Sequence, residues 1–290
     1  MSKPQYPEPS AVLELLKPVT WFAPMWAYMC GVVSSGVPIR WGAALLGAVL
    51  AGPLVCATSQ AVNDWYDRHV DAINEPNRPI PSGRIPGEWG FYIGVIWSVL
   101  SLIVATALGT SVLFAAIFGL ALAWAYSAPP WRLKLNGWYG NSAVAICYEG
   151  VPWFTGAAAM AGAFPSNSVI LFALLYSIGA HGIMTLNDFK AIEGDKVMGV
   201  RSLPVQLGVE KAVRLACAVM AAPQLIVITL LWNWGHPFYA FLIVGLLIGQ
   251  FVLMARLLKD PRGQAAYYNA TGTTLYVLGM LVSAFALRAG

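Results

Sequence analysis

Nine stretches of mostly apolar residues fill most of this chain, at 19–37, 41–62, 89–109, 111–128, 139–163, 167–187, 212–233, 237–257 and 267–287. A helix crossing the hydrocarbon core of a bilayer needs about 20 such residues. Inside a bilayer every backbone polar group must be satisfied within its own segment, which leaves helices as the structure these runs can adopt. The expected fold is therefore an all-α polytopic membrane protein with nine transmembrane helices, one membrane domain spanning residues 1–290 and no room for a soluble domain. Only 10% of the residues are charged while 58% are hydrophobic. A soluble domain carries about 25% charged residues, and a disordered chain needs low hydrophobicity. With a net charge of +4 and no long basic run, no nucleic-acid partner is expected.

The basic residues orient the bundle. Of the 17 Lys and Arg, only Arg40 and Arg288 fall on one side of the expected membrane. The others, Lys3 and Lys17 among them, lie in the N-terminal segment and the loops of the opposite side. Lys and Arg accumulate in cytoplasmic loops, so the N-terminus is expected to be cytoplasmic. Trp41, Trp89, Trp131, Trp138, Trp232 and Trp234 fall near helix ends, where interfacial anchors sit. Cys30, Cys56, Cys147 and Cys217 lie in apolar stretches without C-x-x-C spacing and read as small hydrophobes. No cleavable signal peptide is expected, because residues 1–10 are polar and Pro-rich.

The acidic residues are less ordinary. Seven of the 13 lie in two short stretches that follow the second and sixth apolar runs. The first is Asn63-Asp64-Trp65-Tyr66-Asp67-Arg68-His69-Val70-Asp71, followed by Glu75. Asp64, Asp67 and Asp71 are spaced i, i+3, i+7, and Asn63 precedes Asp67 by four, so a continuing helix puts their oxygens on one face. Such a face either binds a hard divalent cation or is a solvated helix end paired with Arg68. Mg²⁺ suits it, because Mg²⁺ takes one or two carboxylates, keeps waters and shares substrate phosphate oxygens.

The second stretch, Asn187-Asp188-Phe189-Lys190-Ala191-Ile192-Glu193-Gly194-Asp195-Lys196, repeats the Asn-Asp pair. An arginine and a proline follow each: Arg78-Pro79 after the first and Arg201-Ser202-Leu203-Pro204 after the second. Asn63 to Arg78 is 15 residues and Asn187 to Arg201 is 14, a spacing that suggests two pseudo-repeated halves. Two facing carboxylate clusters with Arg78, Lys134, Lys190 and Arg201 nearby make a diphosphate site, with arginine favoured for its forked donors. The chemistry it permits is ionisation of an allylic diphosphate. Metal ions stabilise the leaving group, and the apolar interior shields the cation from water.

The pattern N-D-x-x-D-x-x-x-D from Asn63 to Asp71 resembles the UbiA superfamily of intramembrane prenyltransferases. Three longer stretches, NDWYDRHVDAINEPNRPIPSGR from Asn63, YSAPPWRLKLNGWYGN from Tyr126 and NDFKAIEGDKVMGVRSLPVQLG from Asn187, are similar to its chlorophyll and bacteriochlorophyll synthase branch. The short N-terminus, without a transit-type extension, looks more like the bacteriochlorophyll side of that branch. The resemblance covers essentially the whole chain and implies a UbiA-type bundle. It also implies Mg²⁺ as cofactor, geranylgeranyl or phytyl diphosphate as donor and bacteriochlorophyllide a as acceptor through its 17-propionate. Asp64, Asp67, Asp188 and Asp195 become the catalytic carboxylates. Asn63, Asp64, Asp67, Asp71, Asp188, Glu193 and Asp195 become the metal-ligand candidates. Asn63, Arg78, Tyr126, Lys134, Asn187, Lys190 and Arg201 become the diphosphate-binding candidates. Many superfamily members carry D-x-x-x-D in the second motif, but the residue four before Asp195 is Ala191, which offers no ligand. The propionate nucleophile is already ionised at neutral pH, so no general base is assigned. A bacterial inner or intracytoplasmic membrane and association with other pigment-pathway membrane proteins are implied in the same way.

Two further residues draw attention by depth. Glu149 lies about 15 Å into the fifth apolar run, where a carboxyl is functional by default or makes a structural hydrogen bond to a neighbouring helix. His181 lies seven residues before Asp188, on the same face and about 10 Å deeper. Both are candidates to meet the pigment, His181 as a ligand to its magnesium or simply as a packed histidine. The competing functions are another UbiA-type enzyme acting on a quinone precursor or haem, a cation transporter, and a pigment-binding structural protein. A transporter places its carboxylates near the bilayer midplane at broken helices, whereas both clusters here fall at one membrane face.

Overall fold

A computed structural model describes residues 6–289, and Lys3 lies outside them. The described residues are helical, with a single isolated β-bridge between Asn136 and Arg201. We number the helices α1 (Pro9–Leu15), α2 (Phe22–Ser34), α3 (Trp41–Asn74), α4 (Trp89–Leu108), α5 (Thr110–Ser127) and α6 (Gly137–Ala145, Ile146–Gly150 and Val151–Ala161 end to end). Then follow α7 (Asn167–Lys190), α8 (Ile192–Met198), α9 (Leu203–Leu207), α10 (Val209–Asn233), α11 (Pro237–Lys259) and α12 (Pro261–Ala289).

Seven of these, α3, α4, α5, α7, α10, α11 and α12, are long and apolar enough to cross a membrane. The first and fifth expected spans differ from the rest. α2 has 13 helical residues, about 20 Å, and ends before Gly36 in the left-handed region at φ 73°. α6 covers the fifth run but is interrupted by a π-helical turn at Ile146–Gly150. The shared turn expected at 109–111 is a single residue, Gly109, at φ 120°. A side chain there would be strained, which is why glycine separates α4 from α5.

Chain-adjacent spans pack side by side, and α12 returns to pack on α2, closing a ring in which α2 also crosses α6. The α2–α6 crossing is close because both helices offer glycine. A Cβ on Gly31 would stand 2.0 Å from the Trp153 carbonyl oxygen, and one on Gly156 would stand 2.0 Å from that of Tyr28. Small residues that let backbones touch are how helices associate where lipid removes the hydrophobic drive. Trp153, fully buried, stacks on Tyr176 and donates to Ser34 Oγ at 2.9 Å. Gln224 and Gln250 exchange amide hydrogen bonds of 3.0 and 2.9 Å between α10 and α11, so neither buried amide is left unpaired.

Most basic loops gather at one end of the bundle. Glu14 accepts from Arg84, Lys17 pairs with Asp64, Lys134 with Asp67, and Arg262 with Glu193. At the other end the two isolated arginines cap helix C-termini. Arg40 donates to the carbonyls of Ala159 and Met160, and Arg288 to those of Val33 and Val37. Cations are favoured there by the helix dipole and the unpaired carbonyls.

Candidate active site

A cavity of about 300 Å³ lies among α3, α5, α6 and α7. Its mouth is polar: Asn63, Tyr126, Asn141, Asn187 and Asp188. Its far end is apolar, with Leu50, Ala51, Ala115, Ala116 and Val151 in the wall. α5 makes the room by presenting Ala and Gly rather than larger side chains. Both π-helical segments, Leu50–Cys56 around Pro53 and Ile146–Gly150, contribute wall residues. Cys56 Sγ and Gln60 Nε2 contact the Tyr148 hydroxyl at 3.5 and 3.2 Å, joining the two segments across the cavity. π-bulges recur at functional sites because they re-aim side chains that a regular helix would turn away.

The first motif is helical throughout, since α3 runs on to Asn74. Its three carboxylates are partnered by cations from three different segments. Asp64, 2% exposed, meets Lys17 at 2.6 Å and Arg78 at 3.6 Å. Asp67 meets Lys134 at 2.5 Å, and Asp71 meets Arg78 at 2.8 Å. Arg68 does not join them. It lies over the Trp65 ring at 3.9 Å and donates to the Trp65 carbonyl, so the motif is not a helix end neutralised by its own arginine. The second oxygen of Asp64 is buried and has no partner. Burial pushes the Lys134 ammonium below the ordinary lysine value, and the bond to Asp67 opposes that shift. Lys17 and Arg132, the latter two residues before Lys134, both hold left-handed backbone, at φ 47° and 39°. Non-glycine residues persist there only where the surroundings fix them.

The second motif begins at the end of α7. Asn141 of α6 donates to Asp188 Oδ2 at 3.0 Å, and Asn187 accepts from Asn269 of α12 at 2.8 Å. Tyr126 lines the same mouth as Asn63 of the first motif and Asp188 of the second. The Arg201 backbone pairs with the loop carrying Lys134: Arg201 N donates to the Leu135 carbonyl at 2.9 Å, and Gly137 N donates to the Arg201 carbonyl at 2.8 Å. The Lys190 and Arg201 side chains are exposed.

Three expected positions are placed elsewhere. Glu193 is exposed on α8, where Lys196 and Arg262 bind it at 3.3 Å and hold its carboxyl below the usual range, the Lys196 hydrogen bond foremost. α8 turns it away from the cavity because the helix restarts after the Asp188–Lys190 turn. Glu149 is buried and does not line the cavity wall. His181 stacks on Trp138 at 5.9 Å and is likewise outside that wall. Sequence reasoning overlooked two participants: Lys17, read only as an orienting charge, and Asn141, which lies in the similar stretch from Tyr126. Neither has a spacing signal, because each meets its carboxylate from a distant segment.

No three His, Cys, Asp or Glu side chains form a closed metal cage among the described residues. The carboxylates of the two motifs offer oxygen ligands, and one oxygen, Asp64 Oδ2, is buried without a partner. That set fits Mg²⁺, which completes its shell with water and phosphate oxygens rather than a protein cage.

A profile of the UbiA prenyltransferase family matches residues 20–286. The bacteriochlorophyll synthase 33 kDa chain of Cereibacter sphaeroides is 60% identical, over 97% of this chain and 94% of its own length. The chloroplastic chlorophyll synthase of Oryza sativa is 38% identical, over 94% of this chain and 76% of its own length. A UbiA homologue from Archaeoglobus fulgidus, solved with GPP and Mg²⁺ bound, superposes with a TM-score of 0.72 at 22% identity, over 97% of this chain and all of its own.

Proposed function

The chain belongs to the UbiA prenyltransferase family, and on that premise we propose that it esterifies the 17-propionate of bacteriochlorophyllide a with geranylgeranyl or phytyl diphosphate. The observation that carries this reading is the meeting of Asn63 and Asp188, one from each acidic motif, at the mouth of one apolar cavity. A diphosphate head at that mouth leaves its prenyl tail nowhere to lie but along the cavity.

Asp64, Asp67, Asp188 and Asp195, with Asn63, are the residues that would hold Mg²⁺, and Asp71 supports them through Arg78. Mg²⁺ bound there supplies charge neutralisation for the departing diphosphate. Lys134, Arg78 and Tyr126 are placed at the same rim to hold its oxygens, with Lys190 and Arg201 on the outer side. As the C1–O bond of the donor breaks, the apolar walls exclude water from the allylic cation. The propionate then forms the new C1–O bond as the carboxylate it already is. Positioning and charge do the catalysis.

In this reading α2 and α6 complete nine membrane-crossing segments, and the repeated Asn-Asp pair marks two related halves of one domain over residues 1–290. The charged end faces the cytoplasm of a bacterial inner or intracytoplasmic membrane, where pigment-pathway membrane proteins associate with it. The 60% identity to a bacteriochlorophyll synthase, against 38% to a chlorophyll synthase, supports bacteriochlorophyllide over chlorophyllide.

The test is an assay in detergent with bacteriochlorophyllide a, geranylgeranyl diphosphate and Mg²⁺, with EDTA and Asp67→Asn as controls. Esterified pigment that requires both metal and Asp67 is the expected result. Prenylation of chlorophyllide alone would move the acceptor assignment. No prenylation of any acceptor would refute the reading.

A further inference from the structure

A groove of about 260 Å³ lies between α10 and α11. Cys217, Ala221 and Met254 form its buried floor, and Ala218, Phe251 and Leu258 are exposed walls. Both helices are long and apolar enough to cross a membrane, so those walls face acyl chains. On one side along the seam, the Gln224–Gln250 amide pair ties the helices together, three residues past Ala221 and four before Met254. On the other side stand four cations. Lys211 and Arg214 lie seven and four residues before Ala218, on the same face of α10. Arg256 and Lys259 lie in the last turn of α11. All four are exposed, and none forms an ion pair among the described residues. Of their acidic neighbours in sequence, Glu210 and Asp260, the latter caps Gly263 N at 3.0 Å. The dipole of α10 disfavours a cation in its first turn, so Lys211 gains nothing from its own helix. α10 has 25 residues, about 38 Å, against a hydrocarbon core of about 30 Å. Its charged end therefore reaches headgroup level.

We propose that this groove binds one anionic phospholipid, with its phosphate among Arg214, Lys259, Lys211 and Arg256 and an acyl chain against Ala218, Ala221 and Met254. Basic pockets between transmembrane helices recognise anionic headgroups, and a phosphate accepts the forked donors of arginine. The lengths agree. Ala221 lies seven residues from Arg214, about 10 Å, within the reach of a chain in a leaflet about 15 Å deep. No residue of this groove lines the cavity among α3, α5, α6 and α7, so the site is independent of the donor reading.

The test is native mass spectrometry of the full-length protein in detergent, titrated with phosphatidylglycerol or phosphatidylcholine of identical acyl chains. The proteins compared are wild type, the double variant Arg214→Gln/Lys259→Gln, and Ala218→Leu. Wild type should bind phosphatidylglycerol at least about tenfold more tightly than phosphatidylcholine. Each cation removed should weaken phosphatidylglycerol about fivefold, so the double variant should lose most of that preference. Ala218→Leu should lower the affinity for both lipids by filling the groove, and Ala255→Leu on the facing helix repeats that arm. The substituted residues are all exposed, so the variants should elute with wild type on size-exclusion. No preference in wild type, or a preference unchanged in the double variant, overturns the anionic headgroup. Unaltered affinity in both leucine variants would show the cations acting without the groove, and overturns the site as well. Bound lipid is read directly, so none of these outcomes depends on prenyl transfer.

Discussion

The ammonium of Lys17 donates to Asp64 Oδ1 at 2.6 Å, across 47 residues of sequence. Lys17 achieves this from left-handed backbone, which pins the segment between α1 and α2 against the start of the first acidic motif. Removing one partner of a buried ion pair costs about 3–5 kcal/mol. Arg78, 3.6 Å from the same oxygen, offsets part of that. Lys17→Ala is therefore expected to destabilise the protein by about 1–3 kcal/mol and to lower kcat/KM. A thermal midpoint and donor kinetics in the same detergent check it. An unaltered midpoint would mean that the pair contributes nothing to folding.

Lys134 and Asp67 form the second such link. With donor binding and charge stabilisation both at stake, Lys134→Met and Asp67→Asn should each reduce prenyl transfer by about 100-fold or more. Lys134→Arg should retain more activity than Lys134→Met, because it keeps the charge. Equal losses in the two Lys134 variants would argue for a packing role instead.

The two carboxylates of the second motif should separate cleanly. Asp188 lines the cavity mouth, while Glu193 is exposed and bound by Lys196 and Arg262. Asp188→Asn is expected to abolish Mg²⁺-dependent activity, and Glu193→Gln to leave it within about twofold, as surface substitutions usually do. EDTA should silence the wild type, with Mg²⁺ restoring it. A large loss in Glu193→Gln would place that residue back among the metal ligands.

The clamp between Glu14 and Arg84 provides a pH signature. Two hydrogen bonds of 2.7 and 3.0 Å join them, and the Arg84 hydrogen bond holds the Glu14 carboxyl below its ordinary range. A carboxyl whose folded pKa is depressed adds stability above its unfolded pKa and loses it as pH falls through the folded value. The midpoint difference between wild type and Glu14→Gln should be present at neutral pH and vanish in acid below the folded value. Both groups are partly exposed, so the difference should be small and shrink with added salt. A gap that widens in acid would contradict the assignment.

The crossing of α2 and α6 should tolerate no side chain. A Cβ at Gly31 or Gly156 would stand 2.0 Å from a facing carbonyl oxygen, and backbone cannot yield as a side chain can. Gly31→Ala and Gly156→Ala are each expected to cost about 3 kcal/mol or more, read as lost monodisperse protein on size-exclusion. Normal yield and midpoint for either would show that the helices can separate.

The sequence by itself determined the helical class, most of the helix positions and the two acidic motifs. Hydrophobic length and i, i+3, i+7 spacing are local properties, and a bilayer leaves an apolar run of 20 residues little choice but a helix. Asp64, Asp67 and Asp71 were legible for that reason. The tertiary structure alone decided which charges meet. Lys17 reaches Asp64, and Asn141 reaches Asp188, only because helices far apart in sequence pack together. It also put Glu193 on an exposed face of α8, bound by Lys196 and Arg262. Glu149 and His181 were expected to meet the pigment from their depth, and both lie outside the cavity wall. In α6 a π turn changes rotation about the helix axis, and depth along an axis carries no information about it. The cavity itself belongs to the same class, because α3, α5, α6 and α7 all supply its wall.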